Sequence, residues 1–414
     1  MAHYCIRYAR NNGRFSPCSM INGIEPCEHP TSFPQNRGSL DKLLKHGIIA
    51  QSEDSFILNI WTPDTEEKKP VLFWIHGGAF SDGSSNDKQN DATVLASQAD
   101  CVVVSVSYRL GLLGTAYFDG IPQQDCGLHD IITALEWTNT YIEKYNGDNT
   151  NVTIGGQSSG AWYAMALFTS PRLQHLFQKA LFLSWPGTMK AQTADVEREI
   201  YSRFLMEIKK LQGNPDDIAN VPIDTFLKAQ RVVGRKNKTK YKFNVPFLPM
   251  IEPDYVSDNF YEAIKHTTKK VWLQFTKNEC GAYVYRLPIS KHFPLHVLSK
   301  FILQYCPENA YAKLKANKKR THNAYQATID VTSEELFKNP SKTIAESLQE
   351  RAELHEFDYP AVNPKIQCCH CFDIPFVFGC FDAWKESKIL IGNDFETMKN
   401  ESLKLQGKIK RFMQ

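Results

Sequence analysis

The chain has no apolar run of the 18 to 20 residues that a membrane-crossing helix requires, and its first residues, MAHYCIRYAR, lack the apolar core of a secretory signal. No membrane span is expected, and the reading that follows is a cytoplasmic protein. An excess of one charge is missing too. With 48 basic against 45 acidic residues, no global field would recruit nucleic acid or an acidic surface, and neither partner is expected. The richest basic stretch, Arg231 to Lys242, reads as a local solvated loop, with a contact patch for an anionic partner as the alternative. Regular cysteine spacing is absent. Eleven cysteines, an odd number, argue against a disulfide framework, and Cys368-Cys369-His370-Cys371 has no second cluster at zinc-site spacing. No metal and no cofactor are expected, although the role of Cys368, Cys369 and Cys371 stays open. Internal repeats, low-complexity linkers and a clean domain boundary are also missing, which favours one elaborated domain over residues 1–414.

What is present is a core. Hydrophobic residues make up 42% of the chain and aromatic residues 12%, enough to exclude disordered and fibrous classes. Residues 56–61 (FILNIW), 71–75 (VLFWI), 101–107 (CVVVSVS), 151–154 (NVTI) and 180–184 (ALFLS) are short apolar runs rich in β-branched or aromatic side chains, suited to strands buried on both faces. Asp87 to Gln98 and Leu128 to Tyr145 read at helical period between them. Alternating strand and helix predicts an α/β fold with a mostly parallel central sheet flanked by helices. Beyond about residue 190 the segments become longer and charged. Asp195 to Leu211, Thr332 to Leu354 and Asp394 to Met413 are expected as helices, with strands at Val271 to Phe275 and near Gln367.

Between NVTI and the helical AWYAMALF lies Gly156-Gln157-Ser158-Ser159-Gly160. A sharp strand-to-helix turn flanked by glycine holds Ser158 in a strained geometry and lifts its hydroxyl from the sheet, where the helix N-terminus offers unpaired N–H groups. A plain glycine-rich loop is the alternative. After VLFWI comes His76-Gly77-Gly78-Ala79-Phe80, a second glycine-rich strand end whose backbone N–H groups can approach a substrate oxygen. The two motifs together are the pairing of an α/β-hydrolase.

Six blocks, SEDSFILNIWTP (52–63), PVLFWIHGGAFSDG (70–83), VSVSYRLGLLG (104–114), CGLHDIITALEW (126–137), NGDNTNVTIGGQSSGA (146–161) and FQKALFLS (177–184), resemble the type-B carboxylesterase and cholinesterase family in order and spacing. The resemblance implies an α/β-hydrolase fold with a shortened N-terminal entrance segment (1–50) and helical insertions (190–360) that contribute to the pocket. It implies Ser158 as nucleophile, with the backbone N–H groups of Gly78, Ala79 and Ser159 as the oxyanion hole; one such donor is worth about 3 to 4 kcal/mol in hydrolases.

The same resemblance matches the acid to Glu279, in Thr276-Lys277-Asn278-Glu279-Cys280-Gly281, where an extra cysteine shifts the glycine by one. It matches the base to His370, in HCFDIPFVFG, where Cys371 replaces a glycine and Asp373 a glutamate. Ser184 matches a serine near the acid, with a purely structural role equally open. Arg109 and Asp130 are expected to pair within the scaffold. Tyr8, Phe15, Phe80, Tyr117, Trp162 and Trp185 are aromatic candidates for pocket walls or core.

The expected activity is hydrolysis of a small-molecule carboxylic ester through an acyl-enzyme on Ser158. Acyl transfer by the same residues, or a non-catalytic binding protein of this fold, are the alternatives. Acyl and alcohol specificity and oligomeric state are not legible from the chain.

Overall fold

The computed structural model describes residues 1–118, 125–240, 245, 247–303 and 309–414; the last residues of the basic stretch, 241 and 242, lie outside them. Among the described residues nine strands form one sheet: β1 Ala2–Arg10, β2 Ser19–Pro26, β3 Ile57–Thr62, β4 Lys69–Ile75, β5 Val102–Val106, β6 Gly147–Gln157, β7 Lys179–Leu183, β8 Lys270–Thr276 and β9 Ala352–Phe357. Their spatial order is β2-β1-β3-β5-β4-β6-β7-β8-β9. Pairings from β5 onward are parallel, and those joining β2, β1, β3 and β5 are antiparallel. This is the mostly parallel sheet expected of an α/β-hydrolase.

Side chains on a strand alternate between faces, and β4 shows what that achieves. Val71, Phe73 and Ile75 enter one cluster with Val104, Ile154 and residues of helices α2 (Cys126–Tyr141) and α3 (Ser159–Thr169). Leu72 and Trp74 enter the opposite cluster, with Leu95 of α1 (Thr93–Ala99) and Met398 and Ile409 of the terminal helix Phe395–Met413. Because both faces are covered, the run VLFWI is buried throughout. Each such side chain contributes about 1.5 to 3 kcal/mol.

Arg109 and Asp130 do pair within the scaffold. Nε and Nη2 of Arg109 donate to the two carboxylate oxygens at 2.8 and 2.6 Å, and Nη1 reaches the carbonyls of Arg14 and Ser16. The pair ties the loop after β5 to α2 and to the chain between β1 and β2.

Four elements differ from the sequence reading. The first is the hairpin β1–β2, absent from that reading because its strands carry His3, Arg7, Arg10 and Glu25 among half-exposed positions. The second is the segment Thr332 to Leu354. It divides into the end of a helix, a π-helical turn Glu334–Lys338, the helix Asn339–Leu348 and then β9. The third is the strand expected near Gln367. Gln367 stands at φ 59° in a loop, and the last strand of the sheet is β9 instead, where Glu353 and Glu356 suit an edge. The fourth is the basic stretch from Arg231, which up to Lys240 continues the helix Ile223–Lys240 and is not a loop.

Candidate active site

Ligand sites of parallel sheets lie beyond the carboxyl ends of the strands, and four strands here end at one place. β4 leads into His76-Gly77-Gly78-Ala79, β6 into Ser158, β7 into Ser184 and β8 into the turn carrying Glu279.

Ser158 has φ 57° and ψ −121°, between the last residue of β6 and the first of α3. Such a backbone costs about 1 to 3 kcal/mol in a residue with a side chain. Its surroundings impose it. The Ser158 N–H donates to Leu183 O at 2.9 Å, and the flanking glycines permit contacts that no larger residue would. A Cβ on Gly160 would lie 2.0 Å from Ile75 O, and one on Gly156 would lie 2.4 Å from the carbonyl carbon of Gly160. The turn is therefore locked between β4 and α3, with Ser158 half-buried on the wall of the cavity.

Gly78, Ala79 and Phe80 follow β4 with φ of 128°, 53° and 59°. Three positive φ values in succession curl the loop, so that the N–H groups of Gly78 and Ala79 have no protein acceptor among the described residues. Ser159 occupies the first turn of α3, where N–H groups lack intrahelical partners. Among the described residues its buried Oγ has no partner within hydrogen-bond geometry. Behind the loop, burial pushes the His76 imidazole down to about 4, which keeps that ring uncharged.

Glu279 and His370, 91 residues apart, meet at 2.6 Å between Oε2 and Nδ1. Both are buried. The other carboxylate oxygen accepts from Ser184 Oγ at 2.6 Å and from the Thr276 N–H at 2.8 Å. The backbone closes the same unit, since the His370 N–H donates to Glu279 O at 3.0 Å. Phe337 and Tyr283 flank the imidazole, with ring centroids 5.0 and 5.5 Å away. The extra residue at Cys280 is absorbed by its N–H donating to Ser333 Oγ. Gly281 remains where a Cβ would strike Ile366 O at 2.0 Å.

His370 and Ser158 line the same cavity, of about 480 Å³, but their side chains are not hydrogen-bonded to each other. The nitrogen of His370 that faces away from Glu279 is instead 3.0 Å from Gln157 Nε2. With the Nδ1 proton directed at Glu279, Nε2 carries the lone pair and the Gln157 amide donates to it. The same amide lies 3.4 Å from Cys371 Sγ.

Cys371 stands at φ 70°, so the backbone keeps a left-handed conformation where the resemblance puts glycine. The other two sulfurs of the cluster go elsewhere, Cys368 to Phe357 O and Cys369 to His370 O. Among the described residues no three His, Cys, Asp or Glu side chains converge as metal ligands.

Of the aromatic candidates, Phe80 lines the cavity. Tyr8 and Trp162 are core residues bonded to Ser107 O and Met189 O, and Trp185 is buried against Tyr261. Phe15 packs on Phe118 and Phe226, and Tyr117 lies under Arg198. Gln157, Tyr283 and Phe337 were not singled out in the sequence. The place of Gln157 at the end of β6, next to Ser158, was the available signal for the first of them.

No helix among the described residues is long and apolar enough to cross a membrane. The sequence model of the carboxylesterase family matches residues 6–401. Over 402 residues the chain is 28% identical to a probable N-octanoylanthranilate hydrolase of Rhodococcus erythropolis, covering 93% of this chain and 82% of that one. It is 29% identical over 346 residues to para-nitrobenzyl esterase of Bacillus subtilis, covering 80% and 68%. The solved structure of a thermophilic PNB esterase superposes with a TM-score of 0.84 at 25% identity, over 99% of this chain and 86% of that one. With the sheet, the strand-end loops and these likenesses in agreement, the chain belongs to the carboxylesterase family and is a carboxylic ester hydrolase.

Proposed function

We propose that the chain, acting as one α/β-hydrolase unit, is a serine carboxylesterase that hydrolyses small-molecule esters through an acyl-enzyme on Ser158. The observation that carries this reading is the buried Glu279–His370 contact at 2.6 Å, opening on the cavity that Ser158 also lines. A carboxylate on Nδ1 fixes the tautomer that leaves Nε2 basic, and it stabilises the imidazolium that forms. The Gln157 amide gives way, and His370 Nε2 takes the Ser158 proton as Oγ attacks the ester carbonyl. The N–H groups of Gly78, Ala79 and Ser159 receive the developing oxyanion. His370 then protonates the departing alcohol. Water repeats the sequence on the acyl-enzyme, releasing the acid and restoring Ser158.

A fluorophosphonate probe tests the assignment. Wild type and Ser159→Ala should be labelled and should hydrolyse a p-nitrophenyl ester, because Ser159 acts through its backbone. Ser158→Ala should do neither. Labelling of Ser158→Ala, or none in wild type, would overturn the reading.

A further inference from the structure

In the segment that leaves the cavity wall at Arg286 the charge balance of the chain breaks down. Between residues 286 and 322 there are eight Lys or Arg and one Glu, against 48 and 45 in the whole chain. This segment holds the helices Leu295–Ile302 and Ala310–Thr321. They share one small apolar cluster through Leu298, Ile302, Ala310 and Leu314. Neighbouring acids neutralise two of the cations, with Glu335 on Lys313 at 2.6 Å and Asp330 on Arg320 at 2.5 Å. Arg286, Lys291, Lys300, Lys315, Lys318 and Lys319 form no ion pair among the described residues.

A solvated charged face would be polar throughout, and this one is not. Val297, Leu303 and Tyr311 are 43%, 41% and 51% exposed. Spacing along the helices places them among the cations. His296, Lys300 and Leu303 follow one another at i, i+4 and i+7, opposite the buried Leu298 and Ile302. Tyr311, Lys315 and Lys319 do so at i, i+4 and i+8. Unpaired lysines interleaved with exposed apolar side chains match a surface that is anionic at its headgroups and apolar just beneath them. A dissolved polyanion would answer the charge and leave the apolar side chains unused. The segment also reaches the site, because Arg286 and Leu287 line the cavity.

We propose that this lobe docks the enzyme on an anionic phospholipid bilayer, with the cavity mouth at the edge of the contact. Docking does not depend on the catalytic reading, so it is measured with Ser158→Ala as well as wild type. Both should co-sediment with vesicles of phosphatidylcholine and phosphatidylserine, not with phosphatidylcholine alone, and added salt should release them. Each lysine at an anionic surface contributes roughly fivefold to binding. The triple reversal Lys300→Glu, Lys315→Glu, Lys319→Glu should therefore weaken binding at least about a hundredfold, while hydrolysis of a soluble p-nitrophenyl ester stays unchanged. Should that variant fold poorly, Val297→Ser with Tyr311→Ser provides a second arm, weakening binding without changing its salt dependence. Equal binding to neutral vesicles, wild-type binding by a folded triple variant, or retention on heparin without vesicle binding would each overturn the proposal.

Discussion

Replacing Ser184 by alanine removes one oxygen from a fully buried position and should reach the chemistry only through Glu279. Ser184 Oγ and the Thr276 N–H are the donors to Oε1, at 2.6 and 2.8 Å, and Ser184 does not line the cavity. A hydrogen bond to a buried charged group is worth about 1.5 to 3 kcal/mol. With one donor gone, the carboxylate is less well held against His370 and, in the proposed mechanism, offers less to the imidazolium in the transition state. If all of that appears in the barrier, kcat falls about ten- to hundredfold. KM should stay within about twofold, since no substrate-facing group changes.

Steady-state hydrolysis of a p-nitrophenyl ester, with urea unfolding to establish that the variant is folded, measures both parameters. A double-mutant cycle with Glu279→Gln then isolates the route. Once the carboxylate is gone, the Ser184 substitution should cost little more, because an uncharged amide gains less from the hydroxyl. An unchanged kcat in Ser184→Ala, or the same loss in the Glu279→Gln background, would refute the idea that Ser184 acts through the acid.

Two further outcomes follow from the same site. Gln157→Met fills a similar volume but lacks the N–H that occupies His370 Nε2, so kcat/KM and the rate of fluorophosphonate labelling should both rise about two- to tenfold, the worth of one neutral hydrogen bond. A tenfold loss would mean that Gln157 holds the ring in place instead of competing for it. Asp373, three residues after His370, is fully buried, and desolvation with the nearby Glu279 charge pushes its carboxyl up to about 6 from an ordinary 3.8. The folded state therefore binds the proton more tightly, and the Asp373 contribution to stability should fall by about 3 kcal/mol as pH rises from roughly 4 through 6. Against Asp373→Asn, urea unfolding should show the variant gaining by that amount across this window, whatever offset the amide introduces at low pH. A constant difference would show that Asp373 ionises as freely in the fold as in the unfolded chain.

The parts of this fold that were legible in the chain are those in which the local pattern and the tertiary environment ask for the same residues. β4 and β7 are covered on both faces, so burial writes the apolar runs VLFWI and ALFL into them, and β5 and the buried half of β6 interrupt theirs only with the small polar Ser105 and Thr153. At the edges this agreement fails. β9 lies beyond β8 with Glu353, His355 and Glu356 along it, a pattern that continues the charged helical register of the preceding residues. β1 pairs on both sides, yet it carries Arg7 and Arg10 because Glu25 of β2 and Asp54 lie within reach. Charge there records a tertiary partner, which periodicity alone does not detect.

The site divides along the same line. Ser158, Gly78 and Ala79 occupy short motifs whose strain and close approaches are local, so glycine spacing reveals them. Glu279 and His370 sit in loops with no motif of their own, and without the family resemblance a single glutamate or histidine there would read as an ordinary surface or core residue. The neighbour order β6-β7-β8 puts the strand ends that carry Ser158, Ser184 and Glu279 side by side, and the loop after β9 brings His370 to Glu279 through the Asn278 N–H on Cys368 O and the His370 N–H on Glu279 O. Gln157 shows the limit most clearly. The pentapeptide containing it is the most informative in the chain, but what Gln157 does depends on which way His370 turns, 213 residues later. In the proposed mechanism the same imidazole nitrogen takes the Ser158 proton, and in the structure it is occupied by the amide next to that serine. Resemblance can assign the role of base to His370, whereas which donor its lone pair faces in the free protein depends on this chain's own neighbours, Gln157 and Cys371.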